Sequence, residues 1–117
     1  MLYTNKHEDR IFALLAKTYP SLTKKHKVEF KNVFGAVGLF VDGRIFAASG
    51  KFGIALRLPE EVLTDLFQNK RAKRLKYFAK GHIKKEYAVI APSILRRQRE
   101  IRSLVHKSVR YTVSLPK

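Results

Sequence analysis

The chain has 117 residues, 25 Lys or Arg against nine Asp or Glu, no cysteine and a formal net charge of +16. A length of one domain, with apolar residues at 45%, supports a packed core and argues against disorder; the lack of cysteine excludes a disulfide framework, a thiol nucleophile and cysteine-ligated metal. The longest apolar-plus-glycine run, Val33 to Val41, is far short of the roughly 20 residues of a membrane-spanning helix, and the charged N-terminus (Lys6, Glu8, Asp9, Arg10) lacks a secretory core, so a cytoplasmic protein without membrane contact is expected.

Asn5-Lys6-His7-Glu8 has the spacing of a capping box, and Glu8 and Asp9 suit the positive end of a helix dipole. With Ile11, Phe12, Leu14, Leu15 and Tyr19 on one face and Pro20 as a stop, these residues predict a helix over Lys6 to Tyr19. Ser21 to Lys27 reads as a polar, basic loop. From Val28 the period becomes that of a strand, with Phe30 and Phe34 continuing the alternation and Gly35 and Gly38 marking a bend or bulge. Val37 to Val41 is a second strand. Asp42-Gly43 is a two-residue hairpin signal, Arg44 to Ser49 returns, and Gly50-Lys51 turns into a strand over Phe52 to Leu58.

Those two turns set an expected register. It places Val41 opposite Arg44, Phe40 opposite Ile45, Gly38 opposite Ala47, Ala47 opposite Ile54 and Ile45 opposite Leu56. One face then carries Phe40, Ile45, Ala47, Phe52, Ile54, Leu56 and Leu58, and is expected to be the core. The other carries Val37, Leu39, Val41, Arg44, Phe46, Ala48, Ala55 and Arg57, and is expected to be half exposed or to lie at a contact. A one-residue slip exchanges the two faces.

Pro59, Glu60 and Glu61 open a helix to Asn69 that buries Val62, Leu63, Leu66 and Phe67. Lys70 to Lys76 reads as a basic connector. Lys76 to Phe78 and Ile83 to Ile90 read as strands around Lys80-Gly81-His82. Pro92 and Ser93, the latter as N-cap, open one long helix ended by Pro116. Its apolar stripe is Ile94, Ile101, Leu104, Val105, Val109 and Thr112; Arg96, Arg99, Ser103, His106, Lys107 and Arg110 lie opposite, with Arg97 and Arg102 at the seam. The fold class expected is α+β, with an antiparallel sheet of five or six strands, an N-terminal helix, a short middle helix and a long C-terminal one, in a single domain spanning 1–117.

No catalytic constellation emerges. His7, His26, His82 and His106 are too far apart in sequence for a local metal motif, the acids cluster at helix starts, and Phe34-Gly35-Ala36-Val37-Gly38 lacks the ending of a phosphate loop. No catalytic residue, metal or cofactor is expected.

Charge is the stronger signal. Residues 1–69 hold 10 basic and 7 acidic residues, whereas residues 70–110 hold 14 basic residues and only Glu86 and Glu100. Such asymmetry suits a polyanion. Arg96, Arg99, Lys107 and Arg110, with Arg71, Lys73 and Arg74 from the connector, are candidates for phosphate contacts, which give salt-dependent binding with little sequence information. The alternative is a solvated face that confers only solubility. Tyr77, Phe78 and Tyr87 read as packing residues rather than a stacking platform. A second possibility is a protein interface, including a homodimer, on the mixed sheet face: Leu39, Val41 and Phe46 rimmed by Arg44 and Arg57.

The run from Val33 through Phe34-Gly35, Asp42-Gly43 and Ile45-Phe46-Ala47 resembles the core of the TfoX/Sxy N-terminal domain family. Leu58-Pro59-Glu60-Glu61 is similar to that family's mid-chain helix start, Lys84-Lys85-Glu86-Tyr87-Ala88-Val89 to its later strand, and Ser114-Leu115-Pro116 to its C-terminal end. The resemblance implies a small α+β domain with helices flanking an antiparallel sheet, similar to secretion-chaperone-like folds. Its founding members are two-domain regulators of natural competence that act with the cyclic-AMP receptor protein. The resemblance therefore implies a non-enzymatic module of transcription regulation, touching nucleic acid or the transcription machinery. It supplies no site residue that maps onto this chain.

Overall fold

In the computed structural model the first element is a helix, α1 (Lys6–Thr18). Residues 6–33, 35–76 and 84–116 are described; the expected N-cap Asn5, the start of the strand expected at Ile83, and Tyr77, Phe78 and Lys80-Gly81-His82 lie outside them. Glu8 and Asp9 occupy the first turn of α1 as their charge favours, and Ile11 and Leu15 enter the core. Phe12 instead stays exposed and meets the Phe30 ring edge-on at 6.1 Å. The segment expected as a loop contains a one-turn helix, α2 (Leu22–Lys25). Its cause is a single side chain: Leu22 is wholly buried and pins an otherwise polar run to the core.

Four strands follow as a meander: β1 (Val28–Val33), β2 (Ala36–Val41), β3 (Arg44–Gly50) and β4 (Gly53–Arg57). Helix α3 (Glu60–Gln68) then leads to β5 (Ala72–Leu75) and β6 (Lys84–Ile90). The strands form one antiparallel sheet in the order β1-β2-β3-β4-β6-β5. Residues 70–76 are thus not a plain connector. Ala72 and Leu75 carry the chain into an edge strand whose Lys73 and Arg74 disguise it, charges that also blunt a sheet edge.

The end of α3 is closed without glycine. Lys70 adopts a left-handed conformation (φ 55°), so that its N–H reaches the Phe67 carbonyl and the Arg71 N–H reaches the Leu66 carbonyl, at 3.2 and 2.8 Å.

The long C-terminal helix is broken. A short α4 (Pro92–Leu95) and a main α5 (Gln98–Ser114) are separated at Arg97, which is extended (φ −96°, ψ 101°). Ser93 lies inside α4, whose N-cap is Ala91. The apolar stripe does not register the break, because Ile94 and Ile101 stand seven residues apart and both reach the core.

The first hairpin holds the main departure from expectation. Asp42 and Gly43 both have positive φ (50° and 85°), as a two-residue turn requires, and Val41 pairs with Arg44 and Phe40 with Ile45. Beyond them Leu39 pairs with Ala47, leaving Phe46 as an extra residue in a β-bulge. The bulge reverses the faces of β2 relative to the rest of β3. Val37, Leu39, Val41 and Phe46 point at the helices with Ala47, Ile54 and Leu56. Phe40 and Ile45, expected in the core, go to the opposite face. There Gly38 lies under them: a Cβ at this position would stand 2.9 Å from Ile45 Cδ1 and 3.0 Å from Phe40 Cε1. The second hairpin turns at Lys51-Phe52, one residue later than expected, with Gly50 paired to Gly53 and Ala47 to Leu56. That shift is even, so Ile54, Leu56 and Leu58 keep their expected place in the core.

Helices α1 and α5 cross on the core face. Ile11, Leu15 and Val105 close over Leu39, Phe46, Ala47 and Leu56. The crossing is fixed by polar contacts to the carbonyl end of α1: Gln98 donates to the Lys17 carbonyl at 2.9 Å, and His106 Nε2 lies 3.0 Å from the Thr18 carbonyl while its ring stacks on Tyr19 at 3.9 Å.

Candidate functional site

The basic residues expected to act together are divided by the fold. Arg99, Lys107 and Arg110 lie exposed on the outer side of α5, and Arg96 on the α4–α5 junction. Arg102 is exposed on the same helix. At 1.5 Å per residue, Arg99 and Arg110 stand about 16 Å apart along the axis. None of these five cations forms an ion pair among the described residues.

The connector residues are placed differently. Arg71 pairs with Glu100 at 3.1 Å, and Glu100 also receives Arg97 at 3.0 Å. Arg71, Arg99 and Lys107 line a groove between α3 and α5 together with Glu61, Asp65 and Glu100. That groove is electrically balanced. Lys73 is exposed on the edge strand beside Val89. Arg74 lies on the helix-covered side, its guanidinium 4.6 Å from the centre of the Phe67 ring.

The proposed partner face is not assembled. Leu39, Val41 and Phe46 are 1%, 0% and 1% exposed, because the bulge turns them beneath α1 and α5. Arg44 stands at the hairpin, near Asp42. Arg57 is drawn into the protein: its Nη1 donates to the Ile45 carbonyl at 3.3 Å, and its Nη2 and Nε donate to the two oxygens of Glu86 at 3.2 and 3.3 Å.

Sequence reasoning missed what surrounds that ion pair. Tyr111 Oη donates to Glu86 Oε2 at 3.1 Å, so the carboxylate has a donor on both oxygens. Hydrogen bonding to Arg57 holds the Glu86 carboxyl below its ordinary range, while burial, then the bond to Glu86, pushes the Tyr111 phenol up. Glu86 and Tyr111 form part of the wall of a cleft of about 810 Å³ between α3, β5 and β6. Phe67 supplies its apolar surface with the buried Leu58 and Leu63 behind it, and the exposed Arg74, Lys85 and Glu60 its charges. One signal was present in the sequence: Glu86 and Glu100 are the two acids of a 41-residue basic stretch, and each is the hub of a polar network.

Among the described residues no group of three or more histidines or acids converges as a metal site, and no helix is long and apolar enough to cross a membrane.

The sequence model of the TfoX N-terminal domain matches residues 21–111, more than three quarters of the chain. The match runs from Ser21 before α2 to Tyr111 in α5, and so includes the whole sheet. No curated protein and no solved structure matches the chain.

Proposed function

We propose that this chain, which belongs to the TfoX N-terminal domain family, is a cytoplasmic, non-enzymatic regulatory domain that contacts nucleic acid through the outer face of α4 and α5. The family is a non-catalytic one. One observation carries the choice of partner and surface: Arg96, Arg99, Lys107 and Arg110, with Arg102 beside them, are exposed and form no ion pair within 4 Å among the described residues, although Arg99 and Lys107 share the α3–α5 groove with acids. Cations left unpaired on a protein of charge +16 raise its free energy by mutual repulsion. Phosphates relieve that repulsion and release their condensed counterions. A row of arginines and lysines meeting phosphates fixes position but reads no base edges, so sequence preference is weak.

The test is duplex DNA affinity across a salt series, for the wild type and for the double variant Arg96→Glu/Arg99→Glu. Four to five phosphate contacts give a log–log slope of about −4 in the wild type. The double variant is expected to lose at least about tenfold in affinity and about two units of slope while its melting temperature is kept. Unchanged affinity in the double variant removes this surface from the function.

A second reading has its own observation. No helix of the described residues covers the sheet face carrying Phe40, Ile45 and Val89, all of them half-buried. An apolar sheet face of this kind suits a second copy of the chain. Sedimentation against salt tests it.

A further inference from the structure

The cleft between α3, β5 and β6 belongs neither to the basic row nor to the open sheet face. The geometry points to a binding site there for a small amphipathic organic anion: an apolar body of drug-like size bearing one carboxylate, sulfonate or phosphate.

Its size comes first. A volume of about 810 Å³ falls within the roughly 300–1,000 Å³ of small-molecule sites. Next is the lining. Phe67 presents its partly exposed ring to the ligand, with the buried Leu58 and Leu63 packed behind it, and Thr64 and Gln68 add hydrogen-bonding groups along α3.

The charge of the ligand follows from which groups are already satisfied. One of the cleft's two carboxylates, the partly exposed Glu86, accepts from Arg57 Nε, Arg57 Nη2 and Tyr111 Oη. It has little left to offer a cation. Arg74 and Lys85 form no ion pair among the described residues. Arg74 is exposed, and its guanidinium lies over the face of Phe67 at 4.6 Å, which places the charge beside the apolar wall. The remaining acid, Glu60, is exposed on the first turn of α3. Two free cations against one exposed acid favour an anion, and the apolar floor favours one with a hydrophobic body over inorganic phosphate.

The same layout separates this site from the basic row. Helix α3 stands between the cleft and the groove beside α5 and carries Glu60, Glu61 and Asp65. A nucleic-acid strand passing from that groove over α3 into the cleft meets three carboxylates. A small ligand entering directly does not.

The experiment is amide chemical-shift mapping by NMR on the full chain, with anilinonaphthalene sulfonate as the anionic probe and phenylnaphthylamine as its neutral counterpart. Saturable binding of one equivalent is expected, with shifts centred on Thr64, Phe67, Gln68, Arg74, Lys85 and Glu86. The neutral probe is expected to bind at least tenfold more weakly, and the Arg74→Glu/Lys85→Glu variant to bring the anionic probe to that same level. Three results overturn the site: no saturable binding, equal affinity for the two probes, or shifts centred elsewhere, such as on Phe40 and Ile45. The mapping is made on the wild type, so it decides the matter even if the double variant folds poorly.

Discussion

At the scale of single residues, the two acids of the basic half repay attention because they are so few. Glu100 gathers Arg71 and Arg97 at the start of α5, where a negative charge also suits the helix dipole. Glu86 ties three elements together: Arg57 at the end of β4, its own strand β6, and Tyr111 near the end of α5. The carboxylate is about two-fifths exposed, so solvent screening discounts the pair well below a buried one. Glu86→Gln is expected to cost about 1 kcal/mol at neutral pH, or about 4 °C in melting temperature for a chain of this size. The pH dependence has a definite sign. The folded carboxyl titrates below its ordinary value because Arg57 bonds its charged form. Its stabilisation is therefore complete above the ordinary carboxylate range and disappears as pH falls through the lowered folded value. Melting curves of wild type and Glu86→Gln should differ at neutral pH and converge as the solution is made acidic enough to protonate Glu86 in the folded state. A gap that persists unchanged in acid contradicts the ion-pair account. Asp42 follows the same rule at the hairpin, its carboxyl lowered by the bond to His26 and then by the Lys27 N–H.

At the scale of elements, the bulge at Phe46 decides more than any other feature, and it creates an accounting problem for the backbone. Both carbonyls at the bulge are met by side chains: Ile45 by Arg57 at 3.3 Å and Phe46 by Ser108 Oγ at 2.8 Å. The second is fully buried, Ser108 being 0% exposed. Ser108→Ala leaves that carbonyl without its donor, an expected loss of about 1–2 kcal/mol, seen as a melting temperature lower by roughly 4–8 °C. Ser103→Ala, exposed on the same helix, is expected to stay within about 0.5 kcal/mol of wild type. Equal effects in the two variants argue against a bulge held by α5. The same feature explains why the sheet was only partly legible in the sequence. Asp42-Gly43 specifies its turn locally, and the two nearest pairs follow from it. The extra residue at Phe46 is specified by contacts 12 and 62 positions away in sequence, which no local pattern records. One added residue exchanged the faces of β2, so Leu39, Val41 and Phe46 moved from a candidate interface into the core. The outer basic side of α5 was legible because helical periodicity is local. The cleft was not, since Arg57 and Tyr111 reach Glu86 across 29 and 25 residues.

At the scale of the whole molecule, net charge makes the two readings of function separable by one variable. Two copies docking through the open sheet face each bring +16 into proximity. Their repulsion is screened as the Debye length shrinks, from about 30 Å at 0.01 M salt to about 10 Å at 0.1 M. Self-association through an apolar face should therefore strengthen as salt rises. Binding to duplex DNA runs the other way, because counterions released from phosphates are returned against a higher concentration. With a slope of about −4, affinity falls about a hundredfold or more between 50 and 200 mM salt. A single salt series, read in parallel by sedimentation of the chain alone and by anisotropy of labelled duplex DNA, gives opposite signs for the two cases. Nucleic-acid contact through α4 and α5 is expected to show as a monomer at every salt with steeply falling DNA affinity. A dimer that grows with salt, together with no DNA binding at low salt, instead assigns the open sheet face around Phe40 and Ile45 as the working surface and leaves the basic row a solubilising one.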